Sequence, residues 1–224
     1  MTIAQWPSHE RPREKMMAQG SHALSDAELI AILLGHGRRG ITAVDLGREL
    51  ITQFGGLKGL ARASFEELHA IAGLGPAKTC RLKAGLELSR RAIQEKLKTQ
   101  TILACRDETE QFLLSSLSGR PYEVFACLYL DTHHKVIAFE ELFRGSLRAT
   151  SVYPREVVRQ VLHHNAASVI FAHNHPSGNP RPSSADWTMT HFLEAALEYI
   201  DVKVLDHVVV GDNCLYSLKL EQEL

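Results

Sequence analysis

Residues 168–186 read SVIFAHNHPSGNPRPSSAD. An apolar run opens the stretch, two histidines one residue apart (His173 and His175) close that run, and a loop rich in proline and glycine leads to Asp186. Short runs rich in β-branched and aromatic residues form strands. In a strand, side chains at i and i+2 leave on the same side, so both imidazoles can converge at the strand's end. Ser183 and Asp186 have capping-box spacing, which puts Asp186 in the first turn of a following helix, where a carboxylate is favoured. A loop that folds back would bring that carboxylate to the imidazoles. Two imidazoles and one carboxylate are a three-ligand set for zinc, with a fourth tetrahedral corner for water. Each part also has a plainer reading: an HxH pair can be packing, and residues 183–186 can be only a helix cap.

Apolar runs like the one before His173 recur at 123–131 (EVFACLYLD), 135–143 (KVIAFEELF) and 202–211 (VKVLDHVVVG). Helical patterns lie between them, at 107–117, at 154–165 with Pro154 as first residue, and at 185–199. Residues 101–224 therefore predict an α/β (α+β) domain with a mixed sheet flanked by helices. A hydrolytic site needs a base, and Glu140 and Glu141 offer adjacent carboxylates on one strand. Alternation sends them to opposite faces, and the residues alone do not choose between them. His207 is either a partner for a ligating histidine or a packed core histidine. His133, His134, His163, His164 and His191 read as surface or packing residues.

Residues 1–100 read as helices. Ser25 and Glu28 form a capping-box pattern before LIAILL, residues 42–54 have helical spacing and stop at Gly55-Gly56, another helix begins at Ser64, and a long one follows over 77–98. The domain boundary is expected at 97–103, and the first twenty residues as a flexible or lightly docked arm. Residues 68–78 (LHAIAGLGPAK) have helix-hairpin-helix character around Gly73 and Gly75. Two glycines let backbone amides approach a phosphate, and Lys78, Arg81 and Lys83 follow as candidate neutralising cations. Such contacts predict salt-dependent, sequence-indifferent DNA binding. A plain packing hairpin is the alternative, and residues 55–57 offer at most a degenerate second copy.

Lysine and arginine outnumber acids 15 to 10 in residues 1–100, and acids lead 16 to 10 in the remainder. That asymmetry suits a front half that meets polyanions. No apolar stretch is long enough to span a membrane and no signal-peptide pattern opens the chain, so a cytoplasmic location is expected. The four cysteines are scattered without a CxxC, which excludes a cysteine zinc site. HExxH is absent, as is the HxE…PCxxC of nucleobase deaminases.

Glu140, His173-x-His175-Pro176 and Ser183-x-x-Asp186 together resemble the E…HxHP…SxxD motif of JAMM (MPN) metalloproteases. The segments LFRGSL at 142–147, VYPREVV at 152–158, FAHNHPSG at 171–178 and LDHVVVGD at 205–212 resemble the bacterial RadC family, over nearly the whole chain. The resemblance implies an MPN fold, related to that of cytidine deaminases, behind a helix-hairpin-helix domain. It implies one zinc ion held by His173, His175 and Asp186. It also implies Glu140, rather than Glu141, as general base, and Ser183 as hydrogen-bond donor to the oxyanion or to the zinc-bound water. The implied activity is JAMM-type hydrolysis of a peptide or isopeptide bond by metal-activated water, with DNA as a further candidate partner. The alternatives are a metal-dependent nuclease, for which the carboxylates are few, and a non-catalytic DNA- or protein-binding module.

Overall fold

Val124–Leu130 (β1) is apolar at every position and wholly buried, as a strand must be when both faces of its sheet are covered. The computed structural model describes residues 3–145, 152–212 and 214–224. Residues 146 and 147 of the LFRGSL segment lie outside the described residues. β1 pairs antiparallel with β2 (Val136–Arg144) on one side and β3 (Ser168–Asn174) on the other. β3 runs parallel to β4 (Lys203–Val210), and β5 (Leu215–Ser217) and β6 (Gln222–Glu223) extend the sheet antiparallel, giving the order β2-β1-β3-β4-β5-β6.

Alternation along β1 builds two cores. Val124, Ala126, Leu128 and Leu130 pack with Phe112, Leu113 and Leu117 of a helix over Arg106–Leu117, while Phe125, Cys127 and Tyr129 pack on the other face. That second face is covered by helices over Pro154–His163 and Ser184–Glu198, through Val157, Val161, Leu193 and Leu197. The result is the helix-flanked mixed sheet expected for residues 101–224.

In the front region α1 (Pro12–Gln19), α2 (Asp26–Leu34), α3 (Ala43–Gln53), α4 (Leu57–Arg62), α5 (Phe65–His69) and α6 (Pro76–Thr99) follow in order; the three helices already placed are α7, α8 and α9. The capping boxes at Ser25 and Ser64 both form. Of the two expectations for the first twenty residues, a flexible or a lightly docked arm, the docked one holds. Trp6 and Ile3 pack on a cluster of Ala27, Ala31, Ala43 and Val44, and Lys15 bridges to Glu28 at 3.0 Å. Small side chains on α2 and α3 leave room for that indole. Gly55 and Gly56 have φ of 67° and 123°, a tight reversal between α3 and α4.

The chain divides into two compact units, Met1–Ser89 and Arg90–Leu224. The division falls inside α6, earlier than the expected 97–103. Leu97 is fully buried in the core beneath α7, with Ile93 packed against it, so the last turns of α6 belong to the second unit.

Candidate metal centre

β3 delivers its histidines at the carboxyl end of a strand parallel to β4. His173 is 5 % exposed, and its Nε2 lies 3.0 Å from that of His175. Asp186 completes a triangle: Oδ1 is 3.3 Å from His173 Nε2, and Oδ2 is 3.4 Å from His175 Nε2. Among the described residues this is the group of histidine, cysteine and acidic side chains spaced to hold one ion. Tetrahedral ligands at about 2.0–2.1 Å from a zinc ion stand about 3.3–3.4 Å apart. The 3.3 and 3.4 Å contacts run to different carboxylate oxygens, and one ligand atom from each residue lies within 4.8 Å of the others, close enough for a single ion to be held.

The intervening loop is fastened by backbone bonds. His175 Nδ1 donates to the Asn179 carbonyl at 2.8 Å, which leaves Nε2 of the neutral ring as a lone pair facing the triangle. Gly178 N–H donates to the His175 carbonyl at 2.9 Å, and Asp212 N–H to the Gly178 carbonyl at 3.0 Å. Gly178 sits at φ 78°, and a Cβ there would stand 2.3 Å from the Asp212 carboxylate. Only glycine meets both demands. Between the two histidines, Asn174 points to the opposite face and is 1 % exposed. It accepts from Val124 N–H at 2.8 Å and donates to the Tyr122 carbonyl at 3.0 Å, tying the strand end to β1.

Electrostatics keep the triad ready for a cation. Burial pushes the Asp186 carboxyl up, but hydrogen bonds from His173 and His175, their charge and the Ser183 hydroxyl outweigh it and hold it far below the usual carboxylate range. The Asp186 carboxylate in turn raises His175 against the effect of burial. His207 is the partner of the buried ligand, its Nε2 lying 2.8 Å from His173 Nδ1. It is 1 % exposed between the rings of Phe125 and Phe171. Burial first, and the neighbouring His173 next, keep it well below the ordinary imidazole value.

The remaining expected residues take other partners. Glu140 aligns with Cys127 and, across β1, with Phe171, on the face that carries His173 and His207. Its carboxylate lies 3.1 Å from His164 Nε2, and the His164 ring lies tilted against Tyr129 with ring centroids 4.3 Å apart. His164, read as a packing residue, is thus the immediate neighbour of Glu140; no motif marks it. Glu141 leaves on the other face and pairs with Arg120 at 2.5 Å and Arg144 at 3.2 Å. Ser183 forms the capping box with Asp186: its hydroxyl donates to Oδ2 at 2.7 Å and accepts from the Asp186 N–H at 3.3 Å. Here Ser183 orients the ligand carboxylate.

In the front unit Gly73 has φ 92° and backs onto Arg38, whose guanidinium donates to the Ala72 carbonyl at 2.7 Å. Gly75 is open, with nothing near the position of a Cβ. The cations expected to face phosphate are turned inward. Lys78 is 5 % exposed and donates to the carbonyls of Gly37 and Gly73, both at 2.8 Å. Arg81 Nη1 caps the carboxyl end of α2 through the Leu34 carbonyl at 2.9 Å, and Lys83 donates to the Ala61 carbonyl. Carbonyls at hairpin and helix ends need donors, and these side chains supply them. Lys78 is therefore corrected from a phosphate contact to an internal one, while Arg81 remains exposed beyond that bond.

The sheet with its His-His-Asp triad defines a JAMM-like metal-dependent hydrolase fold with residues that can bind a metal. Residues 103–224 match the RadC-like JAB domain family and residues 3–80 the UPF0758 N-terminal family. The chain belongs to the RadC-like JAB domain family. It is 54 % identical over 213 residues to a UPF0758 protein of Thioalkalivibrio sulfidiphilus, covering 95 % of this chain and 96 % of that one. UPF0758 proteins of Ralstonia pickettii and Coxiella burnetii are 52 % and 48 % identical over 217 residues, 97 % of each chain. No helix among the described residues is long and apolar enough to cross a membrane.

Proposed function

We propose that this protein is a zinc-dependent hydrolase of amide bonds, acting on a peptide or isopeptide. The observation that carries the reading is the convergence of two imidazole Nε2 atoms, 3.0 Å apart, on one carboxylate whose two oxygens lie 3.3 and 3.4 Å from them. His173, His175 and Asp186 would hold the ion, and the nitrogen-rich donor set favours zinc over calcium or magnesium. When bound, zinc supplies Lewis acidity that polarises a carbonyl and acidifies water. Glu140 is the proton acceptor of the reaction and returns the proton to the leaving amine. His164, in contact with it, sets the direction of its carboxylate. A nuclease is less well served, because Glu141 is committed to two arginines and Asp186 is a ligand.

The test is metal analysis of the purified protein together with a cleavage screen on peptide and isopeptide substrates, with E140Q as control. Zinc near one equivalent in both proteins, with hydrolysis only in the unsubstituted one, supports the assignment. Equal turnover by E140Q removes Glu140 from its role, and absence of bound metal removes the reading.

For the front unit we propose contact with a nucleic-acid backbone through the open Gly73–Gly75 segment, with Arg81 beside it. Gel shifts across a salt series test it: affinity should fall steeply with salt. No shift at low salt leaves this unit a packing or protein-binding module.

A further inference from the structure

A ligating histidine serves a metal only if its proton sits on the other ring nitrogen, and for His173 that choice is made three residues away. His173 Nδ1 lies 2.8 Å from His207 Nε2, and His207 Nδ1 lies 2.6 Å from the hydroxyl of Thr190. That hydroxyl in turn lies 2.7 Å from the main-chain carbonyl of Asp186, one helical turn back on α9. His173, His207 and Thr190 are all buried, at 5 %, 1 % and 5 % exposure, so water does not substitute for these bonds.

The Asp186 carbonyl at one end of this chain only accepts, and at the other end the ionised Asp186 carboxylate, 3.3 Å from His173 Nε2, is met by the ion rather than by an imidazole proton once a metal is bound. The Thr190 hydroxyl therefore donates to that carbonyl and accepts from His207 Nδ1–H. His207 Nε2 is then bare and accepts from His173 Nδ1–H. His173 Nε2 is left as a lone pair, aimed at His175 Nε2 and Asp186. If the Thr190 proton turned toward His207, every bond would reverse. His173 would carry its proton on Nε2, facing the ion's position, and the Thr190 oxygen would meet the Asp186 carbonyl without a proton between them.

We propose that Thr190, acting through His207, is a positioning residue that fixes the tautomer of His173 and so primes the metal centre. The loop that starts at His173 passes through the ligand Asp186 and returns from the Asp186 carbonyl through Thr190 and His207. One helix turn thus supplies a ligand and orients another. His175 reaches the same state by a shorter route, through the Asn179 carbonyl. The inference rests on the metal-centre reading, and its central claim concerns the zinc-loaded protein.

Two measurements test it. Nitrogen-15 NMR of the zinc-loaded protein in mildly alkaline buffer reads tautomers directly: His207 should be protonated on Nδ1, with Nε2 bare. A spectrum with His207 protonated on Nε2 overturns the proposal without any variant. Zinc affinity is then measured by chelator competition for Thr190→Val and Thr190→Ser. Valine keeps the shape and loses the hydroxyl, so affinity should fall about 10–100-fold, the range for loss of a partner behind a ligand. Serine keeps the hydroxyl and should restore most of it. Equal affinities for all three, or a loss in the serine variant equal to that in the valine variant, overturns the proposal. If the unsubstituted protein takes up no zinc, the metal-centre reading fails and this proposal with it; zinc uptake with equal affinities in all three proteins sinks this proposal alone.

Discussion

At the scale of single residues, the metal centre is a competition between protons and a cation. His175 is raised by the Asp186 carboxylate, so it keeps its proton to a pH above the ordinary imidazole value. Asp186 is held far below its ordinary value and stays ionised throughout. A metal must displace the imidazole proton, so affinity is fully developed only above the folded value of His175. It should decline as pH falls, with the decline starting above about pH 6.5, the unperturbed value for histidine. Chelator competition across pH checks this, and a pH-independent affinity in that range would contradict it. D186N removes the carboxylate and the source of the His175 shift together. Its zinc affinity should drop by more than about 100-fold, beyond the loss expected for a partner residue, while circular dichroism remains native. Of these residues, His173, His175 and Asp186 were legible in the sequence, because ligand chemistry restricts residue type and spacing, while Glu140 was separated from Glu141 only by the family resemblance. Thr190 and His164 were not legible, since nothing about a lone threonine or a His-His pair signals which buried atom it will face.

At the scale of elements, the centre depends on how one loop is pinned. Gly178 combines φ 78° with a carboxylate 2.3 Å from where a Cβ would stand. Gly178→Ala should cost about 1–2 kcal/mol for the left-handed backbone alone, and more from the collision with Asp212. The measurable result is a lower Tm and a weaker zinc site, since His175 and Asn179 flank the distortion. The hairpin before α6 has the opposite character. Its lysine is internal, so K78M should leave two carbonyls unsatisfied and destabilise the protein by about 1–3 kcal/mol, whatever it does to DNA binding. Denaturant titration reads this directly, and an unchanged midpoint would return Lys78 to the surface. Strand positions and helix caps were readable from periodicity, as with Ser25, Ser64 and Ser183. The burial of Lys78 and the carbonyl contacts of Arg81 and Lys83 were not, because a cation on a helix looks the same in sequence whether it faces solvent or a neighbouring carbonyl.

At the scale of the whole molecule, α6 belongs to two units, and this sets where the chain can be divided. A fragment of residues 90–224 retains Ile93 and Leu97 in the core beneath α7, whereas one of residues 101–224 loses both. Removing a fully buried leucine costs about 2–5 kcal/mol. The longer fragment should fold cooperatively and bind zinc, and the shorter one should melt at a clearly lower temperature; calorimetry of the pair decides it. Equal stability would mean that the end of α6 contributes nothing to the second unit.

Four strands of the sheet, most of the helices, and the identities of the three side chains in the candidate metal centre were determined by the sequence alone. Apolar periodicity dictates elements, and few residue types can ligate a metal at the end of a strand. Tertiary structure decided what those elements do to one another. It chose the face on which Glu140 stands, placed Thr190 and His207 behind a ligand, buried Lys78, and docked the first residues onto α2 and α3. These outcomes depend on which atoms meet across long separations in the chain. Hydrogen-bond direction and close packing act between neighbours in space, and local sequence carries no record of them.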